Sequence, residues 1–251
     1  MGLATRLLRQ RRIITPSTLH SAKYHSYNHP PPPGPFNEVE TAILSKSLPL
    51  ISNTGFTPET LHLGAKEAGY LDASLNLFPS GAFSLVHYYL YTQRQSLQNN
   101  TDIINPPLTE GKKPPGVGAK VKSLTLARLL SNEPVIHKLP EALALMSLAG
   151  NIPSSLRELS ALSDEIWFLA GDTSVDSSWY TKRASLAAIY GATEVFMTRD
   201  SSEGFRETKE FLDRRFEDSR VLGEAARDVR QWVGFTAGAA VNVLRSKGVR
   251  I

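Results

Sequence analysis

Beyond residue 36, apolar positions recur three and four apart and alternating Val/Ile/Thr runs are scarce, so the pattern predicts helices nearly throughout. A first helix covers Glu38–Ser52 and ends in the turn Asn53-Thr54-Gly55. Thr57-Pro58 opens a second, with Thr57 as N-cap and Pro58 at the first helical position, running to Ala68 and stopping at Gly69. A short third helix covers Leu71–Leu77, and Phe78-Pro79-Ser80-Gly81 leads into a fourth through about Ser96. Asn99–Lys120, with four prolines and three glycines, breaks the pattern and predicts a mobile loop or linker. Further helices are expected over Val121–Ser131, Leu139–Leu148, Pro153–Ala170, Ser177–Arg199, Gly204–Arg220 and Gly223 to about Ser246.

One stretch of this pattern stands apart. Asp176, Trp179, Tyr180 and Arg183 fall at i, i+3, i+4 and i+7, on one stripe of one helix. Two aromatics flanked by opposite charges suit docking of a partner helix or membrane surface. They equally suit two core aromatics beside a solvated ion pair, and the pattern alone leaves both readings open.

Charge changes the picture of the N-terminus. Arg6, Arg9, Arg11, Arg12 and Lys23 precede the first acidic residue, Glu38; without these five, 23 basic residues face 24 acidic ones. The body is near neutral, so the basic total is no sign of nucleic-acid binding. An Arg- and Ser-rich, acid-free start with Leu3, Leu7 and Leu8 set against Arg6 and Arg9 predicts a mitochondrial presequence, the alternative being a basic disordered tail. His29–Pro35 reads as a polyproline spacer. With no cysteine, thiolate metal sites, disulfides and cysteine nucleophiles are excluded.

Little catalytic chemistry is visible. There is no phosphate loop, and Gly116-Val117-Gly118 follows a linker rather than a strand. Glu59 and His62 give half of a di-iron carboxylate pattern with no second copy, so no metal and no cofactor are expected. Asp164, Glu165 and Asp172 form an acidic cluster, but neighbouring carboxylates on a helix diverge by about 100°. A solvated or docking face is the simpler expectation.

Two segments carry a resemblance. Ala42–Leu90, AILSKSLPLISNTGFTPETLHLGAKEAGYLDASLNLFPSGAFSLVHYYL, resembles the N-terminal helix-turn-helix domain of TetR-type regulators. NIPSSL, AGDTSVDSSWYTKRASLAAIY and RDSS resemble the coenzyme Q biosynthesis protein nine family, the mitochondrial lipid-binding proteins of ubiquinone synthesis. The likeness runs over Ala42–Arg220, and its WYTKRASLAAIY core is long enough to be specific.

The resemblance implies an all-α, TetR-like fold with a vestigial helix-turn-helix domain and a larger helical lipid-binding domain. The expected division is 1–36 presequence and spacer, 37–98 helix-turn-helix domain, 99–120 loop, 121–222 lipid-binding domain and 223–251 C-terminal helix. It implies an apolar pocket, its lining unassigned, for an isoprenoid lipid or ubiquinone precursor. It also implies partnership with the demethoxyubiquinone hydroxylase and other coenzyme Q synthesis proteins at the matrix face of the inner membrane. Ile166, Asp176, Trp179 and Tyr180 match the family's partner surface. TetR-like folds also commonly form homodimers.

Residues decide against the alternative of a TetR-type transcription regulator with a small-molecule pocket. Between Glu38 and Pro79, Lys46 and Lys66 stand against Glu38, Glu40, Glu59, Glu67 and Asp72, and Leu71–Leu77 offers only Asn76 for reading bases. No nucleic acid is expected. In the last helix, Trp232, Val233 and Leu244 lie on an apolar face near Phe235 and Arg245, and basic residues dominate after residue 226. This suits an inner-membrane surface, with packing on its own domain or a dimer seam as the alternative.

Overall fold

The first helix begins because Asn37 closes it with a reciprocal cap. The Asn37 side chain accepts from the Glu40 N–H at 2.8 Å, and the Asn37 N–H donates to the Glu40 carboxylate at 2.8 Å. In the computed structural model, which describes residues 34–107, 114–174 and 178–220, α1 spans Glu38–Ser47. The expected single helix to Ser52 is instead three pieces: α1, a 3-10 turn at Leu48–Leu50, and α2 at Ile51–Thr54. Pro49 is the cause, since it has no N–H to continue the ladder. Gly55, at φ 75°, then reverses the chain.

α3 covers Pro58–Glu67, capped by Thr57 as expected, with the Thr60 N–H donating to Thr57 Oγ1 at 3.3 Å. It lies so close to α1 that a Cβ on Gly64 would sit 2.9 Å from the Ser47 Cβ and 3.0 Å from the Ile43 carbonyl. The expected third helix is a 3-10 segment, Asp72–Leu77, with Leu71 left 82% exposed. Six residues with no cap and no buried side chain gain too little to hold α-geometry. α4 follows at Ala82–Ser96.

The expected break at 99–120 is narrower than the proline count suggests. A 3-10 turn at Leu97–Asn99 and α5, Thr101–Ile104, continue past α4, and α6 begins at Val117 and runs to Leu130. Lys120 Nζ donates to the Ile104 carbonyl at 2.7 Å, tying α6 back to α5. Residues 108–113 lie outside the described part.

A 3-10 segment, Glu133–Lys138, leads into α7, Leu139–Met146, then α8, Ile152–Leu169, and α9, Ser178–Met197. Pro140 and Pro153 sit in the first turns of α7 and α8, where a missing N–H costs nothing. A last described helix, α10, covers residues 206–220. Between α9 and α10, Asp200 accepts from the backbone and hydroxyl of Ser202 and of Thr208 at 2.6–2.8 Å. Burial would raise its pKa, but those four donors outweigh it and hold the carboxyl down to about 2. The RDSS element is thus a helix-connecting knot. Among the described residues no strand occurs, and the fold is all-α, consistent with a TetR-like arrangement.

Two apolar cores form within the unit that starts at Phe36. The first gathers Ile43, Leu44, Ile51, Leu85 and Val86 from α1 to α4, and the second Leu124, Leu162, Ile166, Leu186 and Met197 from α6, α8 and α9. α7, expected within the 121–222 block, packs against α4, and its Leu139 and Ala142 complete the first core. Ile136 touches both cores.

Candidate functional site

Arg183 organises the aromatic stripe. Its guanidinium lies 4.0 Å from the Trp179 ring centre, donates to Asp164 Oδ1 at 2.6 Å, and donates to Asp172 Oδ2 at 3.3 Å. It therefore joins α8, the α8–α9 turn and α9 in one clamp. Its side chain is 7% exposed, so it is no surface charge of the stripe, contrary to its expected place there. Trp179 is half-buried, and Tyr180 packs edge-on against it at 4.8 Å while remaining 73% exposed. An exposed aromatic is thereby mounted on an aromatic that a cation already fixes.

Of the four expected partner residues, Trp179 and Tyr180 come together at the start of α9. Ile166 is fully buried in the second core, so it cannot itself touch a partner in this structure; the apolar face of α8 takes it inward. Asp176 lies outside the described residues, as do the expected presequence and the expected C-terminal helix with Trp232, Val233, Phe235, Leu244 and Arg245.

The acidic cluster is not a converging acid pair, and only Asp172, with its side chain 6% exposed, is withdrawn from solvent, while Asp164 keeps 40%. Asp164 and Asp172 hold Arg183, and Asp172 also receives Lys182 Nζ at 2.8 Å and the Ser174 hydroxyl at 2.7 Å. Burial would raise the Asp172 pKa, but the donors Lys182, Ser174 and Arg183 bring it below its usual range. Glu165 only accepts from the Gln98 amide at 3.1 Å. His62 Nε2 lies 2.9 Å from Asp72 Oδ1 in an exposed pair. Among the described residues no group of three His, Asp or Glu is placed to hold a metal ion.

Sequence reasoning left the pocket unassigned, and the structure contains an apolar cavity of about 160 Å³ where α4, α6, α7, α8 and α9 meet. Leu90, Leu143, Met146, Leu159 and Leu162 supply most of its wall, and Gly191 with Val195 lines it from α9. Charged groups interrupt it: Arg128, Glu158 and Glu194. Glu158 is met by Arg94 Nε at 2.6 Å. Arg128 Nη1 donates to Asn132 Oδ1 at 2.8 Å and to Ser131 Oγ at 3.1 Å. The Asn132 amide and the Tyr190 hydroxyl both donate to Glu194 Oε1, at 3.0 and 2.8 Å. Tyr89 donates to Asn132 Oδ1 at 3.0 Å. Burial is the main cause that raises both phenols, Tyr89 to about 12 and Tyr190 well above its ordinary value, so both stay neutral donors near pH 7.

A signal for this cavity existed in the chain. Leu124, Thr125, Arg128 and Leu129 share the inward face of α6, and Leu186, Tyr190, Glu194 and Met197 that of α9. A charged residue at an apolar-face position, rather than any motif, marked the site.

Comparison with known proteins places the chain among its relatives. The COQ9 family model matches residues 152–223, which covers α8, α9 and α10. A fission yeast protein (Schizosaccharomyces pombe), ubiquinone biosynthesis protein coq9, mitochondrial, is 35% identical over 233 residues, 93% of this chain and 90% of its own. The human protein, ubiquinone biosynthesis protein COQ9, mitochondrial, is 33% identical over 221 residues, 84% of this chain and 68% of its own. The match to COQ9-A of Xenopus laevis, 34% identical over 197 residues, covers 76% of this chain and only 61% of the frog protein. No helix among the described residues is long and apolar enough to cross a membrane. With 35% identity along nearly the whole of both chains, this protein belongs to the COQ9 family of mitochondrial ubiquinone-biosynthesis proteins.

Proposed function

We propose that this chain is a non-enzymatic lipid-binding accessory protein of ubiquinone synthesis. It holds an isoprenoid quinone intermediate and presents it to the demethoxyubiquinone hydroxylase at the matrix face of the inner membrane. Asp176, Trp179 and Tyr180 form the partner surface, with Ile166 as internal support. The C-terminal helix, through Trp232, Val233, Phe235, Leu244 and Arg245, contacts the membrane.

The observation that carries this reading is the exposure of Tyr180, at 73%, on a Trp179 ring fixed from behind by Arg183. A rigid, exposed aromatic loses little entropy on docking, which is the form of an interface hot spot. The cavity supports the lipid half. Its about 160 Å³ is close to the roughly 150 Å³ of a benzene-binding cavity, so it suits one ring or one isoprene unit and not a whole polyprenyl tail. The remaining tail needs other cover, since each CH₂ left in water costs about 0.8 kcal/mol. Leu148, Ile152 and Leu156, exposed by 55%, 41% and 59%, offer apolar surface at the start of α8.

The test is association of the full chain with the hydroxylase. Tyr180→Ala and Trp179→Ala should each abolish it while leaving helical content and bound lipid unchanged. Wild-type association in folded Tyr180→Ala would contradict the partner surface.

A further inference from the structure

Phe36 is where the compact unit begins, and its ring is already committed. It meets three rings of α4: His87 at 5.2 Å, Tyr88 edge-on at 5.2 Å and Tyr91 edge-on at 6.2 Å. His87 also stacks on Phe83 at 6.1 Å. Burial is the main cause that lowers its pKa, so it joins the cluster as a neutral ring near pH 7. Asn37 is committed too. It closes the reciprocal cap with Glu40, and its carbonyl accepts from the Thr41 N–H at 2.8 Å. These two residues fix where α1 starts and tie that start to α4. Gly34 and Pro35, one step earlier, are exposed.

A presequence leaves by hydrolysis: water gives its hydroxyl to the released carboxyl end and its hydrogen to the new amine. Trimming repeats that step one residue at a time, each round breaking the first peptide bond of the chain. Left unchecked, it would reach Phe36 and Asn37 and remove the contacts that hold α1.

Proline is the check. Its nitrogen sits in a ring and carries no hydrogen, so an X–Pro bond lacks the N–H by which an extended substrate is gripped. The ring also crowds the backbone of the residue before it. From Ser17 to His29 there is no proline, so this obstacle is absent from that stretch. From His29 to Pro35, five of the six bonds are X–Pro: His29–Pro30, the three that join Pro30 to Pro33, and Gly34–Pro35. The obstacle thus stands directly before the first two residues that the fold needs.

We propose that His29–Pro35 is a processing stop: an aminopeptidase that trims the cut N-terminus halts with His29 as the first residue, and Phe36 and Asn37 keep their contacts. This stop rests on the presequence reading and on neither the lipid pocket nor the partner surface.

Mass spectrometry of the N-terminal peptide tests it, on full-length chain expressed in cells that import it and recovered from their mitochondria. One variant carries Pro30→Ala, Pro31→Ala, Pro32→Ala and Pro33→Ala together, which leaves Gly34–Pro35 as the next X–Pro bond. Wild type should start at His29 and this variant at Gly34. A wild-type start anywhere else overturns the stop, as does a start that does not move in the variant. A recovered chain that keeps Met1 overturns the presequence reading with it.

Urea unfolding of the full chain tests what the stop protects. Phe36→Ala should lower the folded-to-unfolded ratio about fivefold, while the four-proline variant leaves it unchanged. Equal stability of Phe36→Ala and wild type overturns Phe36 as the protected anchor.

Discussion

The two cores of this protein bury different chemistry. Around the first, the buried polar side chains among the described residues are hydroxyls, Ser47, Thr60 and Ser84, and those of Ser47 and Thr60 donate to the Ile43 and Gly55 carbonyls of their own helix or turn. The buried charged residues, Arg128, Glu158, Arg183 and Glu194, all lie on α6, α8 and α9. Apolar replacements of similar volume would often be neutral or stabilising, so a cluster of buried charges is weak evidence for stability. Their concentration at the cavity and beneath Trp179 is what the proposed recognition role of the second half would require. The first half is shaped for close packing, as the α1–α3 contact at Gly64 illustrates.

Removing a buried charge should break this contrast most strongly. Arg183→Ala leaves Asp172, whose side chain is 6% exposed, without one of its two cations and frees the Trp179 ring. The expected loss is about 3 kcal/mol, the low end for a broken buried pair, because Lys182 stays 2.8 Å from Asp172. Urea unfolding gives the stability, and hydroxylase association should weaken along with it.

Acid should sharpen the contrast with a smaller effect. Asp200 titrates at about 2 in the folded chain against an ordinary 3.8, so its stabilising contribution is complete above that ordinary value. It is lost as the pH falls from about 4 towards 2. Protection of α10 amides, their exchange measured against the intrinsic rate at the same pH, should fall over that window in wild type and be low already at neutral pH in Asp200→Ala. Protection in α1 and α3, whose buried residues belong to the first core, should follow the same course in both proteins.

Much of the helical order was legible because its signals are local. Thr57-Pro58 starts α3 by capping alone, and Pro140 and Pro153 mark helix starts whatever packs above them. Local signals failed where tertiary contact decides. Asp172 looked solvated until the α8–α9 turn brought it to Arg183, and Ile166, placed at the partner surface by family resemblance alone, is covered by the second core, which a position in a motif does not reveal. The same limit applies to Arg128. A charged residue on an apolar stripe is visible in sequence, but the Tyr89 and Tyr190 rings that flank its guanidinium come from α4 and α9.

The most direct test of the central claim is native mass spectrometry of the full chain followed by lipid extraction. A polyprenylated quinone or related isoprenoid should co-purify with wild type and be depleted in Gly191→Leu, which adds a side chain to the cavity wall. Protein that is lipid-free in wild type and variant alike, after isolation from cells that make such lipids, would contradict it.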